Sequence, residues 1–403
     1  MKHLEHVQRL RLLLTVSGLL LLLPAAGSSS GVVLEEFKMP PCLDLMTVPV
    51  SLRGETYEFL LDTGASGCLF DGSLAPLLGE PVGRAYAQTP AGVEAVPLYR
   101  TPEASVGDLA LDPDDLVACF DLSELVQLTG MQIKGIIGMS FIERFGLELD
   151  FDAGFVRFLD SPVVPDSMIG AEVELDLQPD SPPGYTATLL DTVKWSFIFD
   201  TGCTSPGSID HEAFSRLDDI GLLHSVGFAR RRALHKSYTA NLFVLDSLAI
   251  GQFDHRDLFL TQSESSVLGL PVLAQYNATF DFPERRLWLR ASDRHRALAP
   301  SDISGLGVMK LAGEPVVAAL DPQGPAAALG LEQGDVLVSV GGALVTDLSV
   351  ACISDVFAQA MGDTIELVVS RFGDQFTEIL DLRWTKRSRD RGETKTRTKQ
   401  PPD

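Results

Sequence analysis

The sequence predicts a mainly β protein, in which one lobe occurs twice and a compact third domain follows. Three observations carry this expectation. Short apolar strands alternate with Gly, Pro and Asp turns through most of the chain. Three landmarks recur in the same order in the two halves of the first 292 residues. Beyond about residue 303 the pattern changes to that of a small domain with one helix of its own.

In the first copy of the repeat, Tyr57-Glu58-Phe59-Leu60-Leu61 runs into Asp62-Thr63-Gly64-Ala65-Ser66; Gly135-Ile136-Ile137-Gly138 and Leu147-Glu148-Leu149-Asp150-Phe151 follow. The second copy has Trp195-Ser196-Phe197-Ile198-Phe199 before Asp200-Thr201-Gly202-Cys203-Thr204, then Val267-Leu268-Gly269 and Ala278-Thr279-Phe280-Asp281-Phe282. Gly138 follows Asp62 by 76 positions and Gly269 follows Asp200 by 69. Each copy closes on an alternating strand, Phe155 to Leu159 and Arg286 to Leu289. The segment from Ser292 to Asp302 reads as a linker. After it, Val350 to Met361 has a helical pattern and Thr364 to Ser370 reads as a β-branched strand. The expected organisation is a signal peptide at 1–27, a first lobe at 33–160, a second lobe at 161–292, a linker at 293–302, a third domain at 303–385 and a disordered, polar basic tail at 386–403.

The 403 residues are 45% hydrophobic, as in ordinary globular proteins, and carry a formal net charge of −23. That charge excludes nucleic acid as a partner, since phosphate binding needs clustered Lys and Arg. At the N-terminus Lys2, Arg9 and Arg11 precede the nearly all-apolar run Leu12 to Leu23, and Pro24-Ala25-Ala26-Gly27 supplies small residues for cleavage. The run is short of the roughly 20 residues that cross a bilayer, so the expectation is an exported protein, periplasmic or secreted, without a stable membrane span after signal removal. An uncleaved N-terminal anchor is the alternative. Five cysteines, Cys42, Cys68, Cys119, Cys203 and Cys352, are an odd number that leaves at least one unpaired within the chain. No Cys/His spacing suggests a metal site, and no cofactor is expected.

A single Asp-Thr-Gly is a weak signal, because a plain turn can carry it. Two copies, each after an apolar strand and each followed by apolar-apolar-Gly, point to chemistry. Two carboxyls brought together in a poorly solvated cleft cannot both ionise cheaply, so one keeps a proton while the other can act as a general base on water. Gly64 and Gly202 permit close approach of the two loops, and the Thr63 and Thr201 hydroxyls can bond across the interface. Cys203 stands where the first lobe has Ala65; a buried inert thiol and a redox-sensitive one are both open. Ser140 is expected to cap a helix, and the glycosylation pattern Asn277-Ala278-Thr279 lies against an apolar strand and reads as coincidence.

On these motifs, residues 33 to 292 resemble the aspartic peptidase superfamily, in particular its retropepsin-like branch with two lobes fused in one chain. The resemblance implies a bilobal aspartic-protease β-barrel fold, an Asp62/Asp200 catalytic dyad supported by Thr63, Gly64, Thr201 and Gly202, and polypeptide substrates hydrolysed without metal or cofactor. The flap signature of pepsins is missing, since Tyr86 is followed by Ala87; Gln88-Thr89-Pro90-Ala91-Gly92 stands where a retropepsin-like flap turn would fall. The third domain resembles a PDZ domain of the kind appended to exported bacterial proteases, on Ala326-Ala327-Ala328-Leu329-Gly330-Leu331-Glu332-Gln333-Gly334-Asp335-Val336. The resemblance makes Gly305-Leu306-Gly307-Val308 its peptide-binding loop and peptide C-termini its partners; a PDZ-like fold packed on the protease with its groove unused is the alternative. From a different class, the rival for the whole chain is a non-catalytic peptide-binding or scaffold protein with a degenerate protease fold.

Overall fold

The computed structural model describes residues 31–293 and 304–383, apart from 41, 43–44, 90–91, 166–168, 178–181, 191, 222, 234–235 and 323. The expected signal peptide and basic tail, and residues 294–302 of the expected linker, therefore lie outside the described residues. The first lobe contains β1 (Val33–Lys38), β2 (Thr47–Leu52), β3 (Glu55–Leu61), β4 (Leu69–Asp71), α1 (Ala75–Leu78), β5 (Gly83–Thr89), β6 (Gly92–Arg100), β7 (Ala104–Val106), β8 (Leu109–Ala110), β9 (Leu116–Phe120), α2 (Ser123–Thr129), β10 (Ile133–Ile137), α3 (Met139–Ile142), β11 (Gly146–Asp150) and β12 (Phe155–Leu159). The second contains β13 (Ala171–Glu174), β14 (Gly184–Leu189), β15 (Val193–Asp200), β16 (Gly207–Ile209), α4 (His211–Asp219), β17 (Leu223–Ala233), β18 (Lys236–Ile250), β19 (Phe253–Gln262), β20 (Val267–Gly269), α5 (Leu270–Leu273), β21 (Tyr276–Asp281) and β22 (Arg286–Ala291).

The repeat in sequence is a repeat in strand pairing. β3 runs parallel to β10, as β15 does to β20. β4 pairs antiparallel with β10 and parallel with β9; β16 does the same with β20 and β19. The hairpin β5–β6 has its counterpart in β17–β18. The second lobe reaches the same layout with fewer, longer strands: β18 pairs with β17, β19 and β14, standing for β6 and β7 together, and β19 stands for β8 and β9. Alternation drives the packing. In β2 the side chains of Val48, Val50 and Leu52 turn inward, and in β15 Phe197 and Phe199 do so. β3 ends on Phe59-Leu60-Leu61, all buried, because that end of the strand lies in the interior.

A separate six-stranded sheet, in the order β1-β12-β11-β21-β22-β13, joins the lobes. At its centre β11 and β21 pair antiparallel, Leu147 opposite Phe280 and Leu149 opposite Ala278. Every residue of β11 and of β21 is buried, which places Asn277 inside the sheet at 6% exposure, hydrogen-bonded to Asp152. A glycan has no access there, as the sequence suggested. In the same sheet the buried Arg157 guanidinium meets Glu36 on β1 at 2.7 Å and Glu148 and Asp150 on β11 at 3.0 and 3.3 Å. Charges this far from water persist only when paired.

The third unit holds β23 (Leu306–Leu311), β24 (Glu314–Leu320), α6 (Pro325–Ala328), β25 (Val336–Val340), β26 (Ala343–Leu344), α7 (Val350–Gln359), β27 (Thr364–Arg371) and β28 (Asp374–Asp381). Helix α7 and strand β27 coincide with the segments expected from periodicity. The sheet runs β23-β24-β25-β27-β28, so β23 is an edge strand, over a core of residues such as Val317, Leu337, Ile353, Phe357 and Val369. Ser349 caps α7 by accepting from Cys352 N at 3.2 Å. Asp335, 1% exposed, pairs with Arg371 at 2.7 Å and accepts from Glu332 N, which explains an Asp at that turn.

This unit is fastened to both lobes. A disulfide joins Cys42 to Cys352 on α7, with Cα atoms 5.2 Å apart across 310 positions of sequence; Cys68, Cys119 and Cys203 are not in disulfides. Helix α2 packs on β23 and on α7. Met361 packs against Leu242, Val244 and Phe259 of the second lobe. Among the described residues no helix is long and apolar enough to cross a membrane.

Replacing Arg157 with Met removes the cation from between two buried carboxylates. The expected loss is about 3–5 kcal/mol, the typical consequence of breaking a buried pair on one side, read as a fall in the midpoint of urea unfolding. A loss under about 1 kcal/mol would mean that Glu148 and Asp150 are solvated or protonated in the folded protein.

Candidate active site

Asp62 and Asp200 stand at the ends of matching strands, where β3 and β15 leave their sheets. Asp62 N donates to Ile137 O at 3.0 Å, and Asp200 sits opposite Gly269 in the parallel pairing of β15 with β20. The recurring apolar-apolar-Gly is thus the strand that walls each Asp loop. A Cβ on Gly138 would lie 2.3 Å from Gly67 O, and one on Gly269 2.1 Å from Ser205 O, so neither position admits a side chain. The chain then turns identically in the two lobes: Met139 N donates to Ala65 O and Leu270 N to Cys203 O, both at 2.8 Å.

The loops lock each other across the lobe boundary. Thr63 N donates to Thr201 Oγ1 at 3.0 Å and Thr201 N to Thr63 Oγ1 at 3.1 Å. Each hydroxyl donates in turn to the strand of the other lobe, Thr63 Oγ1 to Phe199 O and Thr201 Oγ1 to Leu61 O, both at 2.7 Å. Both threonines are fully buried, and each hydroxyl both donates and accepts. Neither Ser, with its freer rotamers, nor Val, without the hydroxyl, replaces this arrangement at equal cost.

This grip sets the carboxyls side by side. A Cβ added to Gly64 would fall 2.4 Å from Asp200 Cγ, and one on Gly202 2.6 Å from Asp62 Cγ. The glycines are therefore the space into which the opposite carboxyl fits. Each Asp accepts from the glycine two residues on, Gly64 N to Asp62 Oδ1 at 2.8 Å and Gly202 N to Asp200 Oδ1 at 2.7 Å, and the two carboxyls are within hydrogen-bonding reach of each other. Both residues keep a partly exposed side. Withdrawal from water raises the proton affinity of each, and for Asp200 the neighbouring Asp62 charge adds to it, carrying it well above the ordinary carboxylate value. The pair holds a proton at pH values where separate aspartates would both be ionised, and that proton belongs to the pair.

The remaining sequence candidates fall around this centre or away from it. Cys203 is half-buried rather than buried; its thiol lies 3.3 Å from Ser205 Oγ and 3.6 Å from Ser205 O. Ser140 is not a cap: Gly138 holds the N-cap position of α3, without a side-chain bond, and Ser140 sits inside the short helix, 3.8 Å from Cys68 Sγ. Its counterpart Pro271 lies in the first turn of α5, where a missing N–H costs nothing. The segment Gln88–Gly92 is the end of the β5–β6 hairpin, with Thr89 paired to Gly92; positions 90–91 are outside the described residues. Gly305-Leu306-Gly307-Val308 leads into edge strand β23 in the third unit and takes no part in the carboxyl pair. One of its N–H groups, Leu306 N, already donates to Ser304 Oγ at 3.1 Å. Reasoning from sequence missed the Leu61 and Phe199 carbonyls as acceptors of the threonine hydroxyls; their only signal is the place of each strand directly before Asp-Thr-Gly.

A family model for aspartyl protease matches residues 48–141, from β2 to the middle of α3, and one for the PDZ domain matches residues 316–371, from β24 through β27. The second Asp loop lies outside both ranges. A search of curated proteins found no significant match.

Because both carboxyls bind protons more tightly when folded, ionising them works against folding. Stability gained on protonation appears as pH falls through the raised folded values and is complete near 3.8, the ordinary value. Asp200→Asn removes the unfavourable charge and leaves an oxygen to accept from Gly202 N. Its melting temperature should exceed that of the unmodified protein at pH 7, with the gap closing below about pH 4. An equal or lower melting temperature at pH 7 would contradict the strained-carboxyl reading.

Proposed function

We propose that this chain, which carries an aspartyl protease domain and a C-terminal PDZ domain, is an endopeptidase that cleaves polypeptides with a water molecule activated by Asp62 and Asp200. The observation that carries the reading is the pair of carboxyls packed into each other's glycine loops and sharing proton affinity. The ionised member takes a proton from water as it attacks the scissile carbonyl carbon. The protonated member donates to the carbonyl oxygen, giving a neutral diol-like intermediate. As that intermediate collapses, one diol hydroxyl returns its proton to the ionised member, the C–N bond breaks, and the leaving amine takes the proton of the other member, so the pair is left again with a single proton. Thr63, Gly64, Thr201 and Gly202 touch no reacting atom in this scheme; they hold the two carboxyls in place.

A non-catalytic peptide-binding protein built on the same fold is the competing reading. Against it stands the cost of the arrangement: a binding cleft has no need of two carboxyls that disfavour each other's charge. The third unit is proposed to bind polypeptide C-termini through the Gly305–Val308 loop and β23. Export to an oxidising compartment, periplasmic or extracellular, is proposed from the basic and apolar N-terminus and is supported by the Cys42–Cys352 bond.

Incubation with a mixed peptide library, followed by mass spectrometry of new termini, is the direct test. Asp62→Asn and Asp200→Asn should each abolish cleavage, because the pair acts as a unit and losing one member costs about as much as losing both. Activity within about tenfold of the unmodified protein in either variant rules out the dyad. The rate should follow a bell-shaped pH profile centred below neutrality, since one carboxyl must be ionised and the other protonated; a rate that still climbs above about pH 9 points to another catalytic group.

A further inference from the structure

The edge of β23 is where an added peptide strand would pair, in the groove between β23 and α7. In this molecule that groove faces another part of the same chain. Helix α2 of the first lobe packs against both of its walls, β23 on one side and α7 on the other. At the C-cap of α2, Gly130 lies directly on β23, with a position for Cβ 3.6 Å from Lys310 Cβ. The Cys42–Cys352 disulfide then ties α7 to the chain just ahead of β2. The groove is therefore held against the first lobe covalently.

On its own lobe α2 is only partly embedded. Leu125 packs with Leu45, Leu122 and Ile133, but Ser123, Val126 and Gln127 border an open cavity lined also by Asp71, Ser73 and Lys134. A seven-residue helix with a cavity beside it can shift at less cost than one buried all round. The helix is also linked to the carboxyl pair through the strand that follows it. Three residues separate its end from β10, and β10 is the strand whose Ile137 carbonyl accepts from Asp62 N.

We propose that α2 is a built-in competitor for the peptide site of the third unit. A polypeptide C-terminus then adds to β23 only by displacing α2, and the displacement passes through β10 to Asp62. The disulfide strengthens the competitor by keeping it at high local concentration next to the groove. The part that concerns Asp62 rests on the proteolytic reading; the competition for β23 does not. A terminus bound at β23 would thereby adjust the cleft, and a substrate or product with a free apolar end would regulate its own cleavage.

The probe is a fluorescein-labelled peptide of about eight residues ending in Val with a free carboxylate, and its C-terminal amide is the control. Binding is followed by anisotropy with the full-length protein in three forms: unmodified, Cys42→Ser/Cys352→Ser, and that double variant carrying Gly130→Cys/Lys310→Cys. The 3.6 Å separation suits a disulfide between the two new cysteines, which would lock α2 onto β23, at the cost of placing a side chain on the left-handed backbone of Gly130 (φ 72°). Circular dichroism checks that each form is folded. The serine variant should bind the acid at least about tenfold more tightly than the unmodified protein, in line with the usual gain on releasing a tethered competitor. The oxidised lock should bind no better than the unmodified protein, and dithiothreitol should restore its binding. Equal affinity in all three forms, including no binding in any, overturns the competition, as does equal affinity for acid and amide. Saturating acid peptide should also change kcat/KM for a short internally quenched substrate by at least about threefold. Binding with unchanged kcat/KM refutes the route to Asp62, whereas absence of hydrolysis in every form refutes the proteolytic reading and leaves the binding result standing.

Discussion

The reciprocal hydrogen bonds between Thr63 and Thr201 are the constraint on which the rest of the molecule depends. Each backbone N–H and each hydroxyl crosses to the other lobe, and both side chains are fully buried. Four short bonds in a dry interior define the distance between the loops more tightly than hydrophobic packing could, because they are directional and an unmet polar group there is costly. The loops cannot drift apart without stranding four donors. As long as they stay together, Asp62 and Asp200 are forced into each other's company, each filling the space that the other lobe's glycine leaves open. The proton affinity of the pair follows from this proximity and from the loss of water around it.

Around that axis the lobes agree where the carboxyls need them to and differ elsewhere. The walls of the Asp loops, β10 and β20, and the turns after them repeat almost bond for bond. Away from the axis, one lobe splits into short strands what the other makes in long ones, and Cys203 takes the place of Ala65. The sheet that joins the lobes carries a charge cluster on the first-lobe side, with buried Arg157 between buried Glu148 and Asp150 and the exposed Glu36. The constraint is local: it fixes a few residues on each side of the axis and leaves the outer barrels free to diverge.

The third unit is coupled to this core by three different kinds of contact, a covalent bond at Cys352, helix packing at α2 and an apolar contact at Met361. Together they touch both lobes. A unit attached through a linker alone would move independently of the cleft, whereas one held at three points shares strain with it. Strand β23 and helix α7 of the unit lie against the protein's own first lobe, so under the proposed competition recognition of a chain end and opening of that contact are the same event.

Much of the site was legible in the sequence because its determinants are short and local. Asp-Thr-Gly after an apolar strand fixes a turn, its glycine and its hydroxyl, and the second copy with its apolar-apolar-Gly at a similar distance identifies a pair. The alternation in β2 and β15 and the helical run of α7 likewise declare their elements, since burial on one face imposes a period on the residues. Ser140 misled, because a serine at the place that Pro271 takes in the other copy looks like a cap until the register of the short helix is known. What only the tertiary structure decided are the relations between distant residues. No spacing rule says that Cys42 should meet Cys352 across 310 positions, that Arg157 should find acids on two other strands, or that α2 should lie on β23. Such contacts depend on how whole sheets come together, and pairing between surfaces leaves no periodic trace in either segment alone.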